Sequence, residues 1–297
     1  DFRDMAFLEA LLPDSALRRR IAIPDRIRLR GTAGADKGAF SAASTLSTDG
    51  GEIALQGRLD TRSEAYGIEL RCDSFPLNSF LPADSLGLLD LALQAGGSGF
   101  DPLRAQTRGN IRLQVDRAEF RGRDFGGVKL NANLEGGQLS GRLSDRDEAL
   151  RLLLLISGTL TERKQEVRLT GNVFDFDLAE LGISPQKIGG SFALEAGASA
   201  SDAGSYTARI ALDSIEVRTR HRTDRIRPTS LSLSSDTTAT RAKLASGDLS
   251  LAFVSPGPVD SLVPALTRST DILAQQIRAQ SVDMEALKPA LPDFSLS

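Results

Sequence analysis

The sequence predicts a mainly β protein. We expect one long, curled antiparallel sheet that forms an open apolar groove (a β-taco), with a short N-terminal helix and a C-terminal amphipathic helix. Three observations carry this prediction. Apolar and polar residues alternate from Arg26 onward, short spacers rich in Gly and Asp separate the alternating stretches, and a unit of about 100 residues occurs twice.

The first 24 residues have a helical pattern. Met5, Leu8 and Leu12 follow the three-to-four-residue spacing of one apolar helix face, and Pro13 ends the stretch. We therefore expect a helical segment over residues 1–24, before the β pattern begins.

Residues 25–66 are predicted to be the end of a preceding β-groove unit. Ile27 and Leu29 alternate with arginines, and Ile53 and Leu55 continue the same period of two. Strict alternation favours a sheet with one apolar and one wet face.

The spacers between the alternating stretches, among them Gly96-Gly97, Gly126-Gly127 and Gly189-Gly190, are interpreted as turns. They are too short for crossover helices and so favour antiparallel hairpins.

The repeat begins where the chain reads CDSFPLNSFLP near Cys72 and NVFDFDLAELGI from Asn172. Phe75 then aligns with Phe176, and two further stretches match in the same order, Leu91–Gly96 with Phe192–Gly197 and Val115–Arg121 with Leu212–Arg218. The sequence therefore predicts one groove repeat over residues 67–158 and a second over 159–257. Copying a structural unit extends a surface, which suits elongated binding better than a single catalytic pocket.

The last segment, residues 258–297, is predicted to contain an amphipathic helix over Leu262–Leu287. Leu262, Leu266, Leu273 and Ile277 recur at spacings of four and seven residues, which is typical of an amphipathic helix. The sequence leaves open whether this helix caps the groove, lies inside it or packs against another unit.

The predicted strands need a cover for their apolar face, and two helical segments cannot supply it. Interior positions hold Leu, Ala and Gly rather than aromatic residues, which make up 5% of the chain. We therefore expect an open groove, with a β-sandwich as the alternative. The candidate groove-lining residues are Ile53, Leu55, Ile68, Leu70, Leu91, Leu93, Ile111, Leu113, Val115, Leu130, Leu143, Val167, Leu169, Phe192, Leu194, Ile210, Leu212, Leu231, Leu233, Leu249 and Leu251.

Residue types that carry chemistry are scarce. The single histidine, His221, lies in an arginine-rich stretch and is interpreted as a surface residue, and the single cysteine, Cys72, is interpreted as a small apolar residue. These counts exclude a His/Cys zinc site and an internal disulfide. A net charge of −3 argues against nucleic-acid binding. We expect no enzymatic activity, no cofactor, no metal and no nucleic-acid partner.

The order and spacing of several weak motifs resemble the TamB branch of the AsmA-like superfamily, in its Bacteroidetes-type form. The stretches that carry the resemblance include Leu12–Ser15, Ile53–Gly57, Gly97–Pro102, Leu169–Leu181 and Leu231–Asp236. It implies an interior segment of a large envelope protein, anchored in the inner membrane and spanning the periplasm. It also implies repeating β-groove units that conduct phospholipid between membranes, and an Omp85-type outer-membrane barrel partner that would bind a part of the parent protein outside this chain.

Two functions therefore stand as expectations. The first is a groove that carries phospholipid acyl chains, since burying about sixteen CH₂ groups at about 0.8 kcal/mol each yields on the order of 10 kcal/mol. The alternative is a scaffold for the assembly and secretion of outer-membrane β-barrel proteins, in which client strands pair with an exposed strand edge.

Overall fold

The computed structural model describes residues 26–82, 85–201 and 204–259, together with the isolated residues 22, 24, 272 and 295–296. The predicted helices over 1–24 and 258–297 fall almost entirely outside the described residues and stay predictions. Within the described part the chain is mainly β-strand, with a single-turn 3₁₀ helix at Leu77–Ser79.

Seventeen strands form the body of the sheet, and a two-residue strand follows them. They are β1 Ile27–Asp36, β2 Ala39–Thr48, β3 Glu52–Asp60, β4 Ala65–Pro76, β5 Leu86–Ser98, β6 Arg108–Phe120, β7 Arg123–Phe125, β8 Val128–Glu135, β9 Gln138–Arg146, β10 Leu150–Leu160, β11 Lys164–Asp177, β12 Gly189–Ser201, β13 Tyr206–Arg218, β14 Thr223–Ile226, β15 Thr229–Ser235, β16 Ala239–Ser246, β17 Leu249–Pro256 and β18 Ser295–Leu296.

The strands form one antiparallel meander. Each strand pairs with the next along the chain, with two exceptions. The short strands β7 and β14 pair with the last residues of β6 and β13, and the rest of β6 and β13 pairs with β8 and β15, respectively. β18 pairs with Phe253 and Val254 of β17. Among the described residues β1 and β17 do not pair with each other, so the sheet is open. The predicted long antiparallel sheet is confirmed, and a β-sandwich is wrong for this part of the chain.

The two predicted repeats contain the same irregularities. The register shifts between Cys72 and Phe75 in β4 and between Val173 and Phe176 in β11, which are matching positions of the sequence alignment. On the following strands, Leu93 pairs with Leu113, and the matching Leu194 of the second repeat pairs with Leu212. The register therefore makes Leu212 the counterpart of Leu113, whereas the sequence alignment made it the counterpart of Val115. The register shifts after Asp90 in the β5–β6 pair and after the matching Ser191 in the β12–β13 pair, so the two bulges coincide and the sequence alignment was two residues out on β6 and β13.

Some glycine pairs were wrongly interpreted as turns. Gly96-Gly97 lies inside β5, and Gly189-Gly190 opens β12. Gly126-Gly127 does interrupt a strand, between β7 and β8, where Gly127 has a φ of +87° and donates its N–H to the carbonyl of Val115. Glycine within a strand often marks a close approach of another group, and in β5 the carbonyl oxygen of Arg108 lies 2.1 Å from the place where a Cβ on Gly97 would be.

Candidate functional site: an open apolar face

The candidate site is one face of the sheet. Residues directly opposite each other on paired strands point to the same face, and so do residues two apart on one strand. Following these relations across the sheet sorts the apolar residues into rows that run perpendicular to the strands. Four such rows lie side by side on the same face, which we call the apolar face.

The first row, the leucine row, contains a leucine on every strand from β3 to β10 except the short β7. The register places in line Leu55, Leu70, Leu93, Leu113, Leu130, Leu143 and Leu154. Gly171, Leu194 and Leu212 continue it, and then Thr229 and Ser246 interrupt it before Leu249.

The second row, the continuous row, crosses fifteen strands without a polar side chain. Its members alternate irregularly between small and large residues, in the order Ala33, Ala42, Gly57, Ile68, Ala95, Ile111, Ala132, Gly141, Ile156, Leu169, Ala196, Ile210, Leu231, Leu244 and Leu251. With strands about 4.8 Å apart, this row is roughly 65–70 Å long.

The third row, the Tyr66 row, is apolar apart from one phenolic hydroxyl. It includes Phe40, Leu59, Tyr66, Gly97 and Gly109 in the first half, and Val167, Ala198, Ala208 and Leu233 in the second. A belt of polar residues follows it at the same ends of the last strands. There Ser235 and Thr240 are buried and hydrogen-bonded to each other at 2.9 Å.

The fourth row, the Asp145 row, lies on the other side of the leucine row. It contains Ile53, Cys72 and Leu91, and later Asp145, Leu152, Val173 and Phe192. Asp145 is 8% exposed, and burial raises the pKa of its carboxyl group. Its Oδ1 accepts the N–H of Asp147 at 2.9 Å, so it also closes the β9–β10 turn.

All twenty-one candidate groove residues lie on the apolar face. Nine belong to the leucine row, six to the continuous row, two to the Tyr66 row and four to the Asp145 row. Their contact with lipid stays a prediction.

The face is open among the described residues. Eight of the candidates are more than a third exposed, and none is fully buried. The eight are Leu55, Ile68, Ile111, Val167, Ile210, Leu231, Leu249 and Leu251. A soluble monomer rarely leaves an apolar patch of this length uncovered, so the face is suited to binding something apolar.

Sequence reasoning missed several members of the rows. Leu154 and Ile156 lie in the continuous apolar run Leu152–Ile156, a pattern that is typical of a strand buried on both faces. In fact Leu154 is 6% exposed on the apolar face, whereas Leu155 is 51% exposed on the opposite face beside Arg142 and Thr170. A continuous apolar run hides the alternation that would have identified these residues.

The opposite face and the ends of the strands are polar. Asp175 pairs with both Arg151 and Arg218, and Arg227 pairs with Asp248 at 2.5 Å. Most partners of these pairs are well exposed, so each pair contributes little to stability. The acidic residues in turns serve as caps: Asp177 Oδ1, for example, accepts the N–H groups of Ala179 and Glu180 at 2.9 and 3.2 Å.

The described residues contain no cluster of three or more His, Cys, Asp or Glu side chains arranged to hold a metal ion. Among the same residues, no helix has the length and apolar character needed to cross a membrane. Cys72 is 5% exposed, and burial, followed by the charge of Asp90, raises the pKa of its thiol. A thiol in this setting is a packing residue rather than a nucleophile. Comparison of the chain with protein-family models, with curated proteins and with solved structures found no match in any of the three.

Proposed function

We propose that this chain is a lipid-conducting groove segment whose apolar face carries the acyl chains of phospholipids. The observation that carries the proposal is the continuous row, which crosses fifteen of the first seventeen strands without a polar side chain and stays partly open to solvent. An acyl chain that moves along this row never has to pass a polar side chain. The headgroup can remain in water, so the task requires no catalytic residue.

The energetics favour movement rather than trapping. Each CH₂ transferred from water to the face gains about 0.8 kcal/mol. Because every residue of the row is apolar and an acyl chain spans several strands at once, a chain that advances by one strand loses about as much contact behind it as it gains ahead. Together with the motif resemblance, this supports placing the segment in the periplasmic part of an inner-membrane-anchored protein that delivers phospholipid to the outer membrane.

The test is native mass spectrometry of the purified chain with extraction of bound lipid. The double variant Leu113→Asp/Leu194→Asp places two carboxylates in the leucine row. Its matched control, Gln114→Asp/Ala193→Asp, places them at the adjacent positions on the polar face. We expect co-purifying phospholipid in the wild type and the control, and its loss in the row variant. A folded wild-type chain that carries no lipid and takes none up from vesicles rejects the proposal.

A second candidate function, a scaffold for outer-membrane β-strands, is favoured by the edge strand β1. β1 pairs with β2 over ten residues without a bulge, contains no proline and, from Gly31 to Ala35, has only small side chains. Natural edge strands are usually protected by proline, bulges or inward charges. This function predicts that amphipathic barrel-strand peptides bind the chain, and that Thr32→Lys/Gly34→Lys abolishes the binding. Absence of peptide binding to the wild type rules it out.

A further inference from the structure

The chain leaves the sheet across the apolar face. β17 ends at Pro256, and within the next three residues the backbone crosses the neighbouring strand β16 and reaches β15. There the N–H of Val259 donates to Oγ of Ser235 at 2.8 Å. Ser235 is two residues from Leu233 of the Tyr66 row and therefore points to the apolar face. The chain beyond β17 thus begins on the face that carries lipid in our proposal, and not on the polar side of the sheet.

The polar belt at the end of the Tyr66 row holds this crossing in place. It consists of Ser235, Thr240 and Ser255, which pair across β15, β16 and β17 and are 3%, 0% and 3% exposed. Thr240 Oγ1 donates to the carbonyl of Gly257 at 2.9 Å, so the proton between the two bonded hydroxyls comes from Ser235. Ser235 in turn accepts the N–H of Val259. This relay of hydrogen bonds therefore begins and ends on the backbone of the departing chain.

The chain also returns to the same corner of the sheet. Residues 260–294 lie between the crossing and β18, and β18 pairs with Phe253 and Val254 of β17. Both ends of this segment are therefore fixed on β15–β17, and Ile272 within it is half-buried. A segment tethered in this way reaches an effective concentration on the order of 1 mM at the adjoining surface, so weak contacts are enough to keep it bound there.

The segment and the adjoining part of the face have matching apolar character. The segment has apolar residues at spacings of four and seven, so its sequence can present one apolar side. They are Leu262, Leu266, Leu273 and Ile277. Next to the crossing, β15 and β17 present three leucines on the apolar face that are 46%, 51% and 40% exposed. They are Leu231, Leu249 and Leu251. Contact between these two sets removes apolar surface from water on both sides.

We propose that the apolar face of β15–β17 is the docking site of residues 260–294 of the same chain. The segment covers this end of the groove while no lipid is present, and phospholipid must displace it in order to pass. The inference rests on the proposed function and adds to it an occupant that competes with lipid at one end of the groove. Because the crossing and β18 hold the segment at both ends, displacement does not release it from the sheet.

The test is photocross-linking of the delipidated full chain. p-Benzoylphenylalanine in place of Leu231 puts the reactive ketone in the continuous row near the crossing, and the same residue in place of Ile68 is the matched control in that row on β4. These two side chains are 46% and 43% exposed, so neither replacement removes a buried side chain. We expect position 231 to label peptides from residues 260–294 and position 68 to label none of them. Vesicles of dioleoyl phosphatidylcholine should reduce the labelling from position 231 at least about threefold.

Two double variants of the segment test whether its apolar pattern is responsible. Leu266→Asp/Leu273→Asp places two carboxylates within the pattern, and Thr267→Asp/Gln275→Asp adds the same charge outside it. All four positions lie outside strands β1–β17. The first variant should lose the labelling from position 231, and the second should keep it. Because its face is no longer covered, the first variant should also bind a fluorescent phospholipid at least about threefold more tightly than the wild type.

The outcomes separate the two proposals. Absence of labelling from position 231, or equal labelling in both double variants, overturns the docking site and leaves the groove standing. Labelling between chains, seen as a cross-linked dimer, also overturns it, because a second copy then covers the face. Labelling within the chain that vesicles do not reduce overturns the competition with lipid. If the wild type and the first variant both take up no phospholipid, the proposed function itself fails.

Discussion

A single aspartate in the continuous row should make lipid occupancy depend on pH. Ile111 lies between Ala95 and Ala132 on the neighbouring strands and is 43% exposed. In Ile111→Asp the new carboxylate therefore keeps its water while the groove is empty, and the fold should lose only about 1 kcal/mol of stability through the lower strand propensity of Asp. An acyl chain lying across the row would bury the carboxylate without a partner.

The magnitude follows from the cost of neutralising that group. An aspartate with an ordinary pKa of about 3.9 must take up a proton to be buried at neutral pH, which costs about 4 kcal/mol, at 1.36 kcal/mol per pH unit. Local occupancy should therefore fall by up to about 1,000-fold at neutral pH and return at about pH 4, where the penalty nearly vanishes.

The assay is photolabelling with a phospholipid that carries a benzophenone at the end of its acyl chain, followed by mapping of the labelled peptides. Arg112→Asp, the next residue on the polar face, is the control and should label like the wild type at both pH values. If Ile111→Asp labels β6 and its neighbours as strongly at neutral pH as at about pH 4, acyl chains do not cross this row.

Three further predictions concern stability. Leu154→Ala should lower the free energy of unfolding by about 2–3 kcal/mol and Leu155→Ala by less than about 0.5 kcal/mol, because Leu154 is 6% exposed and Leu155 is 51% exposed. Urea titration measures both losses. Equal losses would contradict the assignment of the two residues to opposite faces. Burial raises the pKa of Asp145, so the folded state binds this proton more tightly than the unfolded state, and the group stabilises the fold increasingly as the pH falls. Asp145→Asn should remove this pH dependence from the thermal unfolding midpoint. An unchanged pH profile in the variant would refute the prediction. Hydrogen bonds from Thr238 and Ala239 lower the pKa of Asp236 to about 2, so its contribution to folding stability is present above the ordinary carboxyl pKa and is lost as the pH falls towards 2. In Asp236→Ala the folding stability should therefore decrease less steeply over this pH range. The same slope of stability against pH in both proteins would exclude this cause.

Alternation placed the candidate residues together on one side of the sheet because its signal is local. A residue such as Leu113 needs only its neighbours along the chain to reveal its side of the sheet. The rows themselves depend on register, and register depends on bulges such as the one between Asp90 and Leu91, which no period in the sequence marks. The role of Gly97 was missed for a similar reason. Gly97 indicates a turn by composition, but it is a strand residue that gives Tyr66 room.

The meander also determines how the chain can acquire its structure. Every strand from β1 to β17 pairs with strands close to it along the chain, and the longest connection among these seventeen strands, between Asp177 and Gly189, is eleven residues. Loop closure therefore costs little entropy at each step, and contacts distant in sequence are not needed before growth can begin. Such a sheet can nucleate at any hairpin and lengthen one strand at a time. A chain that emerges gradually from its N-terminal side can therefore fold in the order in which it arrives, without waiting for its last strand.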